Sequence, residues 1–227
     1  MKFVRFTALA ASLLLSLAAH AESLVVNGSL TGPIANMGTP TGWTALAGTP
    51  DTMDASNNMG VSGFQYFGAN PSASPDGGTW VGLAYNAGIN YVEQMGQTLT
   101  GLVVGQSYTV SWFVGNFGYD RGSVKYLGSN AIDVLIDGIS VGHGATLGVS
   151  SNWLSESLTF TASSTSQQIS FKLAGQETSY LSIDGIAVNT SVAPPVPEPS
   201  AWAMMGVGLV GVGVMARRRN KAAQASA

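Results

Sequence analysis

The 227-residue chain contains no cysteine. That removes disulfides, thiol nucleophiles and thiolate metal sites together. Charge is scarce as well: Lys, Arg, Asp and Glu make up 9% of the residues, against roughly 25% in an ordinary soluble protein. Histidine occurs twice, at His20 and His143. A Ser–His pair needs a positioned base and a zinc site needs several His or Cys ligands, so neither chemistry is supplied. His143 lies between two glycines and reads as a solvated turn residue. There is no Gly-x-Ser-x-Gly elbow and no phosphate-cradling glycine motif between a strand and a helix. No stretch between the two termini sustains a helical period. What is plentiful is glycine, 29 residues, within a hydrophobic share of 45%. That share supports a packed core, and the glycines point to a turn-rich β chain.

The two ends read as addresses. Lys2 and Arg5 precede an apolar run from Thr7 to Ala18, and Ala19-His20-Ala21 follows as a small-x-small site. This is the layout of a secretory signal peptide cleaved after Ala21, with the secretion translocase as its partner. At the other end Val192 to Val196 is a stiff, Pro-rich spacer. Pro197, Glu198, Pro199 and Ser200 follow, then an uncharged stretch to Ala216, then Arg217, Arg218 and Arg219. As a helix the apolar stretch is about 24 Å long, short of a hydrocarbon core of roughly 30 Å. Trp202 and the arginines sit at its interfaces, and the basic cluster stays cytoplasmic. The chain therefore divides into a signal peptide (1–21), an ectodomain (22–191), a linker (192–199) and a transmembrane helix with its basic cluster (200–221).

The order Pro-Glu-Pro, short apolar helix, arginine cluster resembles a PEP-CTERM sorting tail. The resemblance implies an exosortase, an integral-membrane protease-transpeptidase, as partner. It implies cutting near Pro197 to Ser200, transient anchoring in the inner membrane, and delivery to the cell surface or extracellular matrix.

The ectodomain carries three cations, Arg121, Lys125 and Lys172, against eleven carboxylates, a net charge of −8 that the basic termini mask. Such a domain is a poor partner for nucleic acid. Its segments alternate. Tyr108, Val110, Trp112 and Val114 share one face, as do Ile132, Val134 and Ile136, and Ile169, Phe171 and Leu173. Leu24-Val25-Val26 reads as an opening strand, Trp153 to Phe160 as another, and Tyr180 to Val188 as the last. Short strands between Gly-rich turns predict an all-β, two-sheet antiparallel β-sandwich of jelly-roll type. Ile-Asp-Gly-Ile-x-Val occurs twice, from Ile136 and from Ile183, and reads as two uses of Asp-Gly at a turn or bulge. Residues 36–74 read as a loop-rich insertion at one end of the sandwich.

Asn27-Gly28-Ser29, Gly42-Trp43-Thr44 and Tyr180-Leu181-Ser182-Ile183-Asp184-Gly185, in that order, resemble galactose-binding-like and carbohydrate-binding-module-like jelly rolls. The resemblance implies a structural calcium at Asp184, met in space by Asn27. Hard cations take carboxylate and carbonyl oxygens, so the residue types agree. Sugar binding needs exposed rings and polar groups together. Trp43, Tyr66, Tyr119, Asp120 and Arg121 are the candidates, with Asn116 to Arg121 the densest mixture. Glu93 and Glu156 read as outward, solvated positions on alternating strands. These features describe an exported, non-enzymatic surface or matrix protein that binds an exopolysaccharide, with a role in adhesion or biofilm. Two alternatives stand beside it: a purely structural coat protein, with Ser/Thr-rich faces open to glycans, and an Asp/Glu-dependent glycoside hydrolase.

Overall fold

A computed structural model describes residues 23–56, 69, 71–120, 122, 124–175 and 177–191. The signal segment with Ala19 and Ala21, the sorting tail with Pro197 to Ser200 and Arg217 to Arg219, and the single residues Tyr66 and Arg121 lie outside the described residues. Thirteen strands are numbered here in chain order among the described residues, none of which is helical.

One sheet has five strands in the order β1 (Thr44–Ala47), β5 (Gln94–Thr100), β12 (Ser166–Leu173), β9 (Ile132–Ile136) and β10 (Ile139–His143). The other runs β11 (Trp153–Thr161), β6 (Ser107–Gly115), β13 (Ser179–Thr190), β3 (Trp80–Asn86) and β2 (Asp51–Met53), with β4 (Tyr91–Val92) also on β3. A small ribbon joins β7 (Tyr119–Asp120) to β8 (Lys125–Tyr126). All these pairings are antiparallel.

The alternation explains the layers. Tyr108, Val110, Trp112 and Val114 are at most 2% exposed. They belong to one core with Met95, Leu99, Val134, Ile169, Phe171, Leu181 and Ile183 from neighbouring strands. Each such burial contributes about 1.5–3 kcal/mol before entropy is charged against it. A second cluster holds Met53, Trp80, Ala84, Phe117, Tyr119 and Tyr180. Trp80 and Tyr180 alternate with the core-facing Val81 and Leu181, so this cluster covers the outer face of the six-stranded sheet.

The two Asp-Gly pairs do different work. Asp137-Gly138 has positive φ at both residues (50° and 78°) and forms the two-residue turn between β9 and β10. Asp184-Gly185 sits where the β13–β6 register shifts, with Gly185 at φ 58°. It is a bulge.

Two expectations change. Leu24 to Val26 is not a strand; Leu24 N–H bonds Val188 O and the Ser23 hydroxyl takes Val188 N–H, while the following Asn27 turns left-handed. Residues 36–74 are more than a loop. They supply β1 to one sheet and β2 to the other. The chain thus crosses between sheets at 48–50, and again at Glu93, which separates β4 on the six-stranded sheet from β5 on the five-stranded one.

Candidate functional site

These two crossings build a cleft. A residue at a crossing leaves its ladder, and its neighbours need other partners. Ala84 of β3 shows the repair: its carbonyl accepts Glu93 N–H at 2.9 Å, and its N–H donates to Glu93 Oε2 at 2.8 Å. Tyr91 Oη donates to Glu93 Oε1 at 2.7 Å, and the Thr49 hydroxyl reaches both Tyr91 and Glu93 from the other crossing.

Asp51, on β2, is the second carboxylate. Met37 N–H donates to its Oδ1 at 2.8 Å and Tyr180 Oη to its Oδ2 at 2.6 Å. Tyr180 reaches it by crossing Gly82, which stands between Ser182 and Asp51 in the ladder. A β-carbon at Gly82 would collide with the tyrosine hydroxyl. The cleft has a volume of about 410 Å³, within the usual range for small-ligand sites of about 300–1,000 Å³. Tyr91, Tyr119, Tyr126 and Tyr180 line it together with Asp51 and Glu93. The rings of Tyr119 and Tyr126 are 6.1 Å apart, those of Tyr119 and Tyr180 5.5 Å. Ile89, 74% exposed, forms an apolar lip.

Burial governs the electrostatics. Glu93 is 4% and Asp51 5% exposed. Desolvation pushes Glu93 up to about 7; the charge of Asp51 adds to this, and hydrogen bonds from Tyr91, Ala84 and Thr49 oppose it. Asp51 is also raised by burial, against the bonds from Tyr180 and Met37. Tyr180 is held well above its ordinary range by burial, then by Asp51 and Glu93. Asp120, at the surface, is lowered by the Gly122 N–H and by Lys125, 3.1 Å away.

The sequence candidates divide. Tyr119 reaches the cleft from β7, while its neighbour Asp120 turns to Lys125 and Gly122. Trp43 is core, not surface: it is 5% exposed, packs on Phe171 at 5.9 Å and donates Nε1–H to Asn27 O at 2.9 Å. The glycine and threonine beside it suggested a loop, but Trp43 precedes β1 and its ring fills the sandwich. Glu93 is buried rather than solvated, because it is a crossing residue and has no outward strand position. Glu156 shares the face of Leu158, is half-buried, and its two oxygens take Ala145 N–H at 3.0 Å. Asp51 was missed altogether. For Glu93 the signal was a carboxylate beside Tyr91, Val92 and Met95 in a chain so poor in charge; the flanks of Asp51, Pro50 and Thr52, carry no such signal.

Asp184 is fully buried, and neither carboxylate oxygen makes a hydrogen bond of good geometry, although the Ser74 hydroxyl and Gly185 N–H stand close to it. Desolvation pushes it up to about 7; the Ser74 hydroxyl and Gly185 N–H favour the charged form and Asp76 opposes it. Beside it a space of about 240 Å³ is lined by Asp76, Gly28, Ser29 and Gly185. Gly28 O accepts Ile186 N–H at 2.8 Å, so the Asn27 segment does meet the Asp184 strand. The Asn27 side chain does not serve it. Its amide donates to Thr31 O and Thr41 O, and its oxygen accepts Thr31 N–H. Among the described residues no three His, Cys, Asp or Glu stand together.

Comparison with known proteins locates the tail and the fold. Residues 195–219 match the PEP-CTERM protein-sorting motif, which implies exosortase processing and anchoring in the membrane before it. No curated protein matches the chain. Among solved structures, the Stig cyclase Fisc from Fischerella sp. TAU, in complex with (3Z)-3-(1-methyl-2-pyrrolidinylidene)-3H-indole, has a TM-score of 0.50 at 14% identity, over 77% of this chain and 99% of that one. A CBM4 carbohydrate-binding module has a TM-score of 0.41 at 20% identity, over 74% and 99%. The enzymatically active domain of tailspike protein 4 from bacteriophage CBA120 has a TM-score of 0.44 at 14% identity, over 74% of this chain and 21% of that chain, so this chain spans about a fifth of its length. These likenesses speak to the β-sandwich alone.

Proposed function

We propose that the chain is exported, anchored by its sorting tail, released by exosortase, and then binds an extracellular polysaccharide through the cleft between the two sheet crossings. Sandwiches of this kind serve binding modules and cyclases alike, so the reading rests on the cleft. One observation carries it: four tyrosines and two fixed carboxylates converge on one space of about 410 Å³. Rings pack against the C–H face of a sugar while carboxylates accept from its hydroxyls. A matrix or adhesion role follows from such binding at the cell surface. A pull-down of the producing cells' exopolysaccharide by the full chain tests it. Tyr126→Ala, at a half-buried position, is expected to lower retention at least about fivefold, since a stacked ring is worth about 1 kcal/mol or more. Equal retention would remove the cleft from the account.

Hydrolysis is the second reading, favoured by a buried carboxyl titrating near neutrality beside another carboxylate. Against it, all four oxygens of Asp51 and Glu93 already accept fixed bonds, which suits a binding floor better than water activation. Release of reducing ends from the same polysaccharide, lost in Glu93→Gln, would reverse this preference.

A calcium ion at Asp184 is the accompanying structural proposal. Its two buried oxygens, left without a well-formed hydrogen bond, fit a hard cation, with Asp76 as a second carboxylate and backbone carbonyls or water completing the shell. There the ion neutralises a buried charge. Calcium is expected to raise the melting temperature of the wild type and to leave Asp184→Asn unmoved; an equal shift in both would place the ion elsewhere.

A further inference from the structure

The cleft holds two carboxylates that are at least 95% buried, and no cation stands among its described lining residues. Lys125, between the lining residues Val124 and Tyr126, is turned to Asp120 at 3.1 Å. In their ionised form these carboxylates have no counter-ion and leave an uncompensated negative field. Four tyrosine rings line the same space, and ring faces add a negative quadrupole. Both elements ask for positive charge in a ligand.

The kind of cation follows from what already touches the carboxylates. Met37 N–H and Tyr180 Oη hold Asp51, and Ala84 N–H and Tyr91 Oη hold Glu93. Positive hydrogens therefore point at each oxygen that a metal ion would need. A small, hard cation would have to displace them and shed its water. A primary ammonium also sheds water on entry, but it need not displace these hydrogens: it is attracted by tyrosine rings, and its N–H groups use the lone pairs that each carboxylate oxygen keeps. The apolar lip at Ile89 suits a carbon skeleton behind the charge.

We propose that the cleft selects glycan residues bearing a free, protonated amino group, hexosamines without their N-acyl cap, over neutral sugars. This rests on the glycan-binding reading and narrows it to one ligand class. The shared chemistry, an organic ammonium, is also offered by small amines, and the test separates the two.

The full chain is titrated calorimetrically with four probes: a glucosamine hexasaccharide, its fully N-acetylated form, cellohexaose and choline. The glucosamine oligomer is expected to bind at least about tenfold more tightly than the acetylated one. Choline is expected to bind far more weakly, lacking the sugar rings. Glu93→Gln keeps an acceptor for Ala84 N–H and is expected to narrow the preference to within about threefold. Tyr126→Leu, at the half-buried rim, narrows it too and serves where Glu93→Gln fails to fold; circular dichroism reports folding for both. Equal binding of charged and neutral hexasaccharides would overturn the selection and leave the glycan reading standing. Choline binding as tightly as the amino-sugar oligomer would overturn the amino-sugar class. No binding by any oligosaccharide would overturn both.

Discussion

Burial favours the neutral form of Glu93 and Asp184 and pushes each up to about 7, so both ionise around neutral pH. The sign of the consequence is fixed by linkage. Between an unfolded pKa of about 4 and a folded value near 7, the native state binds more protons than the unfolded one, so stability falls as pH rises through that window. Each group accounts for a decline on the order of 1–3 kcal/mol. In chelator, the melting temperature is expected to drop by several degrees between pH 5 and pH 8, and by less in Asp184→Asn. A flat wild-type profile would contradict the burial of these groups. Residue by residue, the sequence was a partial guide. Asp184 stood out because the stretch from Tyr180 to Gly185 resembles jelly-roll modules. Trp43 and Glu93 were misplaced because neighbouring glycines and strand alternation describe position along one strand. They do not describe where a chain leaves one sheet for the other.

At the scale of elements, the cleft depends on how closely β2, β3 and β13 approach. Gly82 lets Tyr180 lie across β3 to Asp51. Gly82→Ala is expected to cost about 1–3 kcal/mol in a denaturant titration, and to abolish glycan binding even where the protein remains folded. Retained binding would show that the Tyr180–Asp51 bond is not needed. Trp43→Ala should behave oppositely. It empties a core position beside Phe171, costs about 3–5 kcal/mol, and leaves the affinity of the folded fraction unchanged. The strands that hold the core were legible: Ser107–Gly115 alternates closely, and in Ile132–Ile136 and Ser166–Leu173 the apolar residues recur at every second position, although β9 is buried throughout. The short β1, β2 and β4 were not. They have two to four residues each, too few to show a period, and their place is set by tertiary contacts. These three strands flank the crossings that form the cleft, which is why the cleft itself could not be read.

For the whole molecule, the sorting motif at 195–219 begins within five residues of β13, which ends at Thr190. The released protein is expected to have an intact mass that ends between Pro197 and Ser200. A recovered mass retaining Arg217 to Arg219 would make the tail a permanent anchor. The acidic ectodomain and its cleft then define what the released protein meets outside the cell. Hydrogen–deuterium exchange of the full chain, with and without the producing cells' exopolysaccharide, tests the central claim most directly. The account predicts protection over residues 49–51, 84–93, 119–126 and around Tyr180. Protection confined to the outer face of the five-stranded sheet, or none anywhere, would contradict it.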